Sequence, residues 1–221
     1  MAPRYDAVIF DVGGVLVESP FRAALRWQER VGLPEEALLL LLTLFRHYSA
    51  VPGPGHEPHA WHRVETGELP VAVFLDQAKA EVRAELGPDR PLPDIGPDDL
   101  NLYLDVPALW PTVALVRELR ADGYRTAICT NNVRESAGWR ASLPLDLFDV
   151  VVDSSEVGLR KPDPAIYRLT CDLLAVEPAA AVFCDDHPDN VAAAESAGLT
   201  GVHIGDDLVG SLEALRRVLG R

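Results

Sequence analysis

The sequence predicts an α/β fold: a Rossmann-like core of about five parallel strands flanked by helices, with an all-helical insertion after the first strand. Three observations predict it. Residues 7–10 form a short apolar run that stops abruptly at Asp11, followed by Gly13 and Gly14. Continuous rather than alternating hydrophobicity is the mark of a strand covered on both faces. From residue 111 onward, strand-like and helix-like stretches alternate, as units joined by right-handed crossovers do. Between these regions, residues 17–107 read as helix and loop only.

Each element has a local reason. Phe21, Ala24, Leu25 and Gln28 begin a helix that Gly32 stops, and Pro34-Glu35-Glu36 opens another, with proline in the first turn and acids at the positive helix end. Its leucine-rich continuation through Phe45 is too short to span a bilayer and reads as a buried helix. Alternating Pro and Gly make residues 51–55 a loop. A short helix over 61–65 ends at Gly67. Val71, Phe74, Leu75, Ala78, Val82 and Leu86 then recur at helical spacing until Gly87-Pro88. The Pro-rich residues 88–97 are the best linker candidate. The expected division is therefore 1–16 with 108–221 as the core and 17–107 as the insertion.

Beyond the linker, a helix is expected over 111–122 and strands over 126–129, 149–152, 180–184 and 201–204. Asp163-Pro164 caps a helix to about residue 175, another runs from Asp189 to Gly198, and residues 208–219 close the chain. Strand ends and loops then bring Asp11, Thr130-Asn131, Lys161 and Asp185-Asp186 to one edge of the sheet. In open parallel sheets ligands bind beyond that edge.

Composition narrows the function. A net charge of −14 in 221 residues argues against nucleic acid or an anionic membrane as partner. An anionic substrate would have to be attracted locally. Cys129, Cys171 and Cys184 lack regular spacing and suit buried thiols in a reducing cytoplasm. The first residues lack the layout of a signal peptide, so a cytoplasmic location is expected, as monomer or homodimer.

The gathered residues suit phosphoryl transfer. A carboxylate such as Asp11 can attack phosphorus and form an aspartyl phosphate. Mg²⁺ is the usual neutraliser of the repulsion this attack meets, held by few carboxylates. Asp11 and Asp186 are the expected ligands, with Asp185 beside them or acting through water and the Gly13 carbonyl as a further ligand. Lys161 would pair with a phosphate oxygen and keep Asp11 ionised. The Thr130 hydroxyl and the amide groups after it are neutral donors for the same oxygens, and Gly13-Gly14 lets the backbone approach a ligand closely. Packing is the default reading of Trp27, Tyr48, Trp61, Cys129 and Cys184, and a structural hydrogen bond that of Asn190. His187 reads as uninvolved, and His56, His59 and His62 lack the complement of a zinc site.

The order of these motifs resembles the haloacid dehalogenase superfamily of aspartyl-nucleophile hydrolases. Asp11-Val12-Gly13-Gly14-Val15-Leu16 is similar to its first motif and Thr130-Asn131-Asn132 to its second. Lys161-Pro162-Asp163-Pro164 is similar to its third, and Asp185-Asp186 with Asn190 to its fourth. The insertion resembles the family's type-1 helical cap. Residues 61–68 (Trp-His-Arg-Val-Glu-Thr-Gly-Glu) resemble a cap segment of the sugar-phosphatase and epoxide-hydrolase-like branch. The resemblance implies a Mg²⁺-dependent phosphatase of small phosphorylated metabolites, with Asp11, Thr130 and Lys161 catalytic and Gly13, Gly14, Thr130, Asn131 and Lys161 binding phosphate.

One departure stands out. Where the family's phosphatases usually carry a second Asp as general acid–base, two residues after the nucleophile, this chain has Gly13. Such a group contributes roughly 10²–10⁴-fold. Three outcomes follow: substrates with good leaving groups (anomeric sugar phosphates, acyl phosphates), a substitute such as water, Glu18 or His47, or phosphate binding with weak turnover. A metal-free 2-haloacid dehalogenase is the alternative, because halide leaves without protonation, but it gives no reason for Asp185-Asp186.

Overall fold

Five parallel strands form one sheet in the order β3-β2-β1-β4-β5. They are β1 (Ala7–Phe10), β2 (Arg125–Thr130), β3 (Val150–Asp153), β4 (Ala181–Asp185) and β5 (Thr200–His203). The computed structural model describes residues 5–38, 59–87, 89, 92–94, 96, 106–136 and 138–221. The chain winds outward from β1 to β3, crosses back, and lays β4 against the other side of β1. Order therefore reverses between β1 and β4, and the crevice beyond their carboxyl ends is the natural ligand position.

Both faces of the sheet are covered, which is why its strands read as unbroken apolar runs. On one face Val8 and Phe10 pack with Val113, Val116 and Leu119 of the helix Trp110–Ala121 and with Leu212 and Leu215 of the helix Leu208–Val218. On the other, Ala7 and Ile9 meet Ile166, Tyr167, Cys171 and Leu174 of the helix Pro164–Leu174 and Ala194 of the helix Pro188–Ser196. The Asp163 side chain accepts the Ala165 N–H at 2.8 Å, as the Asp-Pro start led us to expect. All three cysteines are buried and free. Each expected strand is present within a residue or so of its limits. The short helices Gly138–Ser142 and Ser154–Val157 were not expected; at five residues or fewer they carry no periodicity to read.

Between β1 and residue 106 the described elements are helices: Pro20–Val31, ended by Gly32 at φ 69°, residues 35–38, Ala60–Glu65 and Val71–Leu86. They have an apolar cluster of their own, including Trp27, Leu38, Val64, Val71, Phe74, Ala78 and Val82, with Trp61 packed at its margin. The chain leaves and returns side by side: Glu18 N donates to Pro107 O (2.9 Å) and Leu109 N to Leu16 O (2.8 Å). The expected leucine-rich run beyond Leu38, the loop at 51–55, His47, Tyr48, His56 and half of the linker at 88–97 lie outside the described residues. No helix among those described is long and apolar enough to cross a membrane.

Candidate active site

Asp11 lies directly beyond β1, with its N–H donating to Cys184 O at 2.9 Å. Asp185 closes β4, so the adjacency of β1 and β4 puts the two carboxylates face to face. Lys161 reaches between them from the loop before the helix Pro164–Leu174. Its Nζ lies 2.7 Å from Asp11 Oδ1 and 2.7 Å from Asp185 Oδ2, and the residue is 1% exposed. Burial would lower a lysine pKa, but here the two carboxylates outweigh it and hold the ammonium above its ordinary value.

The carboxylates differ in how far their needs are met. Asp185 is saturated. Its Oδ1 accepts His187 N (2.8 Å) and Asn190 Nδ2 (3.1 Å), and its Oδ2 accepts Lys161 Nζ (2.7 Å) and Asn190 Nδ2 (3.2 Å). Asp11 and Asp186 are short of donors. Burial pushes the Asp11 carboxyl up to about 6, with Lys161 opposing and Asp185 adding to the rise. Burial, then the charges of Asp11 and Asp185, push Asp186 up to about 7. Oxygens of Asp11, Asp185 and Asp186 lie within 4.8 Å of one another. Three carboxylates against one ammonium leave an excess of negative charge, and an all-oxygen donor set of this kind suits a hard divalent cation.

Gly14 makes room for this arrangement. Its φ is +72°, and a Cβ there would fall 2.2 Å from Asp186 Oδ2. Gly13 sits half-buried in the same turn, bridged to Val17. Thr130 closes β2 and is buried, its hydroxyl making a long 3.4 Å contact with Asn131 O.

Asn131 does something the sequence did not suggest. Its side chain accepts Lys161 N (2.8 Å) and donates to Lys161 O (3.0 Å), so both ends of the amide are committed to positioning the lysine. Asn190 is a structural hydrogen bonder to Asp185, as expected. Glu18, expected as a substitute acid, is held by Arg26 through both carboxylate oxygens. The Arg26 hydrogen bond keeps its carboxyl below the usual range, which makes it a poor proton donor.

Sequence reasoning missed Arg160 and Glu65. Arg160 Nε donates to Glu65 Oε2 at 2.6 Å, and both side chains are almost fully buried. The partners are ninety-five residues apart in sequence, so no local spacing signals them. The only pointer is the resemblance of residues 61–68 to a cap segment.

Known proteins share this sequence pattern and fold. The haloacid dehalogenase-like hydrolase family model matches residues 5–198. The chain is 32% identical over 216 residues to acyl-CoA dehydrogenase family member 10 of Mus musculus, covering 96% of this chain and 19% of that protein. It thus spans about a fifth of that relative's length. It is 26% identical over 200 residues to validoxylamine A 7'-phosphate phosphatase of Streptomyces hygroscopicus subsp. limoneus, covering 88% of this chain and 83% of that one. The crystal structure of an L-2-haloacid dehalogenase superposes with a TM-score of 0.70 at 22% identity, over 98% of this chain and all of the other.

Proposed function

The chain belongs to the haloacid dehalogenase-like hydrolases, and from that premise we propose that it is a Mg²⁺-dependent phosphatase of small phosphorylated metabolites. One observation carries the reading: Asp11, the expected nucleophile, shares a crevice with Asp186, a carboxylate that metal-free chemistry has no use for. Asp11 and Asp186 would hold the ion, joined by the Gly13 carbonyl. The saturated Asp185 acts by fixing Lys161 and the turn at His187. The ion supplies neutralisation of phosphate charge when bound.

In this reading an Asp11 oxygen attacks phosphorus, the P–O bond to the leaving group breaks, and the aspartyl phosphate forms. Water then attacks phosphorus, releasing inorganic phosphate and restoring the carboxylate. Lys161 holds Asp11 in its ionised form beforehand and accompanies the transferred charge afterwards. Residues 17–107 act as the lid over a core of 1–16 and 108–221, excluding water and selecting substrate. Among the described residues Gly13 carries no acid and Glu18 is held by Arg26, so in this reading the leaving oxygen departs without strong protonation. That favours anomeric sugar phosphates and acyl phosphates over simple alkyl esters.

The same missing acid favours a second reading, displacement of halide from a 2-haloacid by Asp11. The two are separated by assaying p-nitrophenyl phosphate and 2-chloropropionate, each with Mg²⁺ and with EDTA. Mg²⁺-dependent release of nitrophenol with no dechlorination is the expected result. Dechlorination that persists in EDTA would replace the phosphatase reading.

A further inference from the structure

We infer that Glu65 is a positioning residue for Lys161, acting through Arg160 so that the lysine loop is set only when the helix Ala60–Glu65 is seated on the core. The inference rests on the phosphatase reading for its effect on turnover and on geometry alone for its effect on the loop. Lys161 stands on a loop, and loops move unless something holds them. From the core side Asn131 holds its backbone at both N and O. From the other side the adjoining residue, Arg160, is tied to Glu65 at 2.6 Å. The two anchors come from different parts of the chain, so the position of Lys161 reports on both.

Glu65 is itself well fixed. Its other oxygen accepts Trp61 Nε1 at 2.9 Å, one helical turn back. Its carbonyl accepts Ser154 Oγ at 2.6 Å, and the same hydroxyl accepts Asn132 N at 2.9 Å. Two further contacts extend the seat. Val133, from the loop after β2, enters the apolar cluster of the helical segment, and Val71 N donates to Glu135 Oε1 at 3.2 Å. Gly67 closes the seat: a Cβ there would lie 2.4 Å from Ser155 O. Lifting this helix would separate a buried ion pair and leave Arg160 uncompensated beside Lys161, which is costly. Seating it draws Arg160, and with it the Lys161 loop, into place.

The experiment compares Glu65→Gln, which keeps an acceptor for Trp61 but no charge, with Arg160→Gln, the double variant, and Glu68→Gln as an exposed control from the same segment. Hydrogen exchange of the peptide spanning 159–163 is read on the unliganded protein, and kcat and KM on p-nitrophenyl phosphate with Mg²⁺. Both single variants should speed exchange at 159–163 by about tenfold and lower kcat by about tenfold or more with KM little changed. The double variant should be no worse than the poorer single one, and the control should match wild type. Unchanged exchange or unchanged kcat in a folded variant overturns the inference, as do kcat losses that multiply in the double. If one single variant fails to fold, the other reads the same pair. A wild type that never turns over the ester counts against the phosphatase reading, and exchange alone then decides whether Glu65 governs the loop.

Discussion

Two carboxylates stand at the same edge of the sheet and have opposite fates. Asp153, closing β3, is fully paired: Oδ1 accepts the N–H (3.0 Å) and hydroxyl (2.7 Å) of Ser155, and Oδ2 accepts Asn132 Nδ2 (2.7 Å) and Arg140 Nη2 (2.9 Å). Asp11, beyond β1, shares one lysine with Asp185 and faces Asp186. Burial is nearly total at both, 1% and 8% exposed, so burial does not distinguish them. Donor supply does. A buried acid with all its partners is structure, whereas buried acids that outnumber their cations are arranged for something that arrives.

The sharpest way to break this comparison is to exchange the roles by mutation. Asp186→Asn should lower Mg²⁺-supported turnover by about a hundredfold or more while leaving the melting temperature unchanged or raised, because it relieves repulsion. Asp153→Ala should do the reverse. It strands Asn132 and Ser155 donors and costs about 3 kcal/mol in denaturant unfolding, with kcat of the folded fraction within a few-fold of wild type. If Asp153→Ala loses turnover without losing stability, donor supply is the wrong criterion.

A smaller effect concerns pH. In Asp11 and Asp186 the folded pKa lies above the ordinary aspartate value of 3.8, at about 6 and about 7. The folded state therefore binds more protons than the unfolded state between these limits, and stability falls as pH rises through that window. In EDTA the melting temperature should decline from pH 5 to pH 7.5. Mg²⁺ should raise it more at pH 7.5 than at pH 5, and Asp186→Asn should flatten both trends. A rising curve in EDTA would mean that the two acids are better compensated than the geometry implies.

Much of this was legible beforehand because the strands are short apolar runs that end in polar residues. Residues 181–184 ran straight into Asp185-Asp186, and residues 7–10 into Asp11, so the elements and their chemical ends could be read together. What could not be read was pairing between loops. Asn131 was expected to meet phosphate; its side chain also clamps the Lys161 backbone at both N and O, a contact between loops that no local spacing announces. Glu18 looked available until Arg26, two turns along the next helix, was seen to hold it. Glu65 and Arg160 meet only through tertiary structure, and neither has a flanking pattern that announces the other.

The most direct test is an acid-quenched single turnover of p-nitrophenyl phosphate with Mg²⁺, followed by mass analysis of the peptide that carries Asp11. One phosphoryl group on Asp11, absent from Asp11→Asn, is the expected result. Nitrophenol release in the first turnover with Asp11 unmodified at every quench time would contradict it.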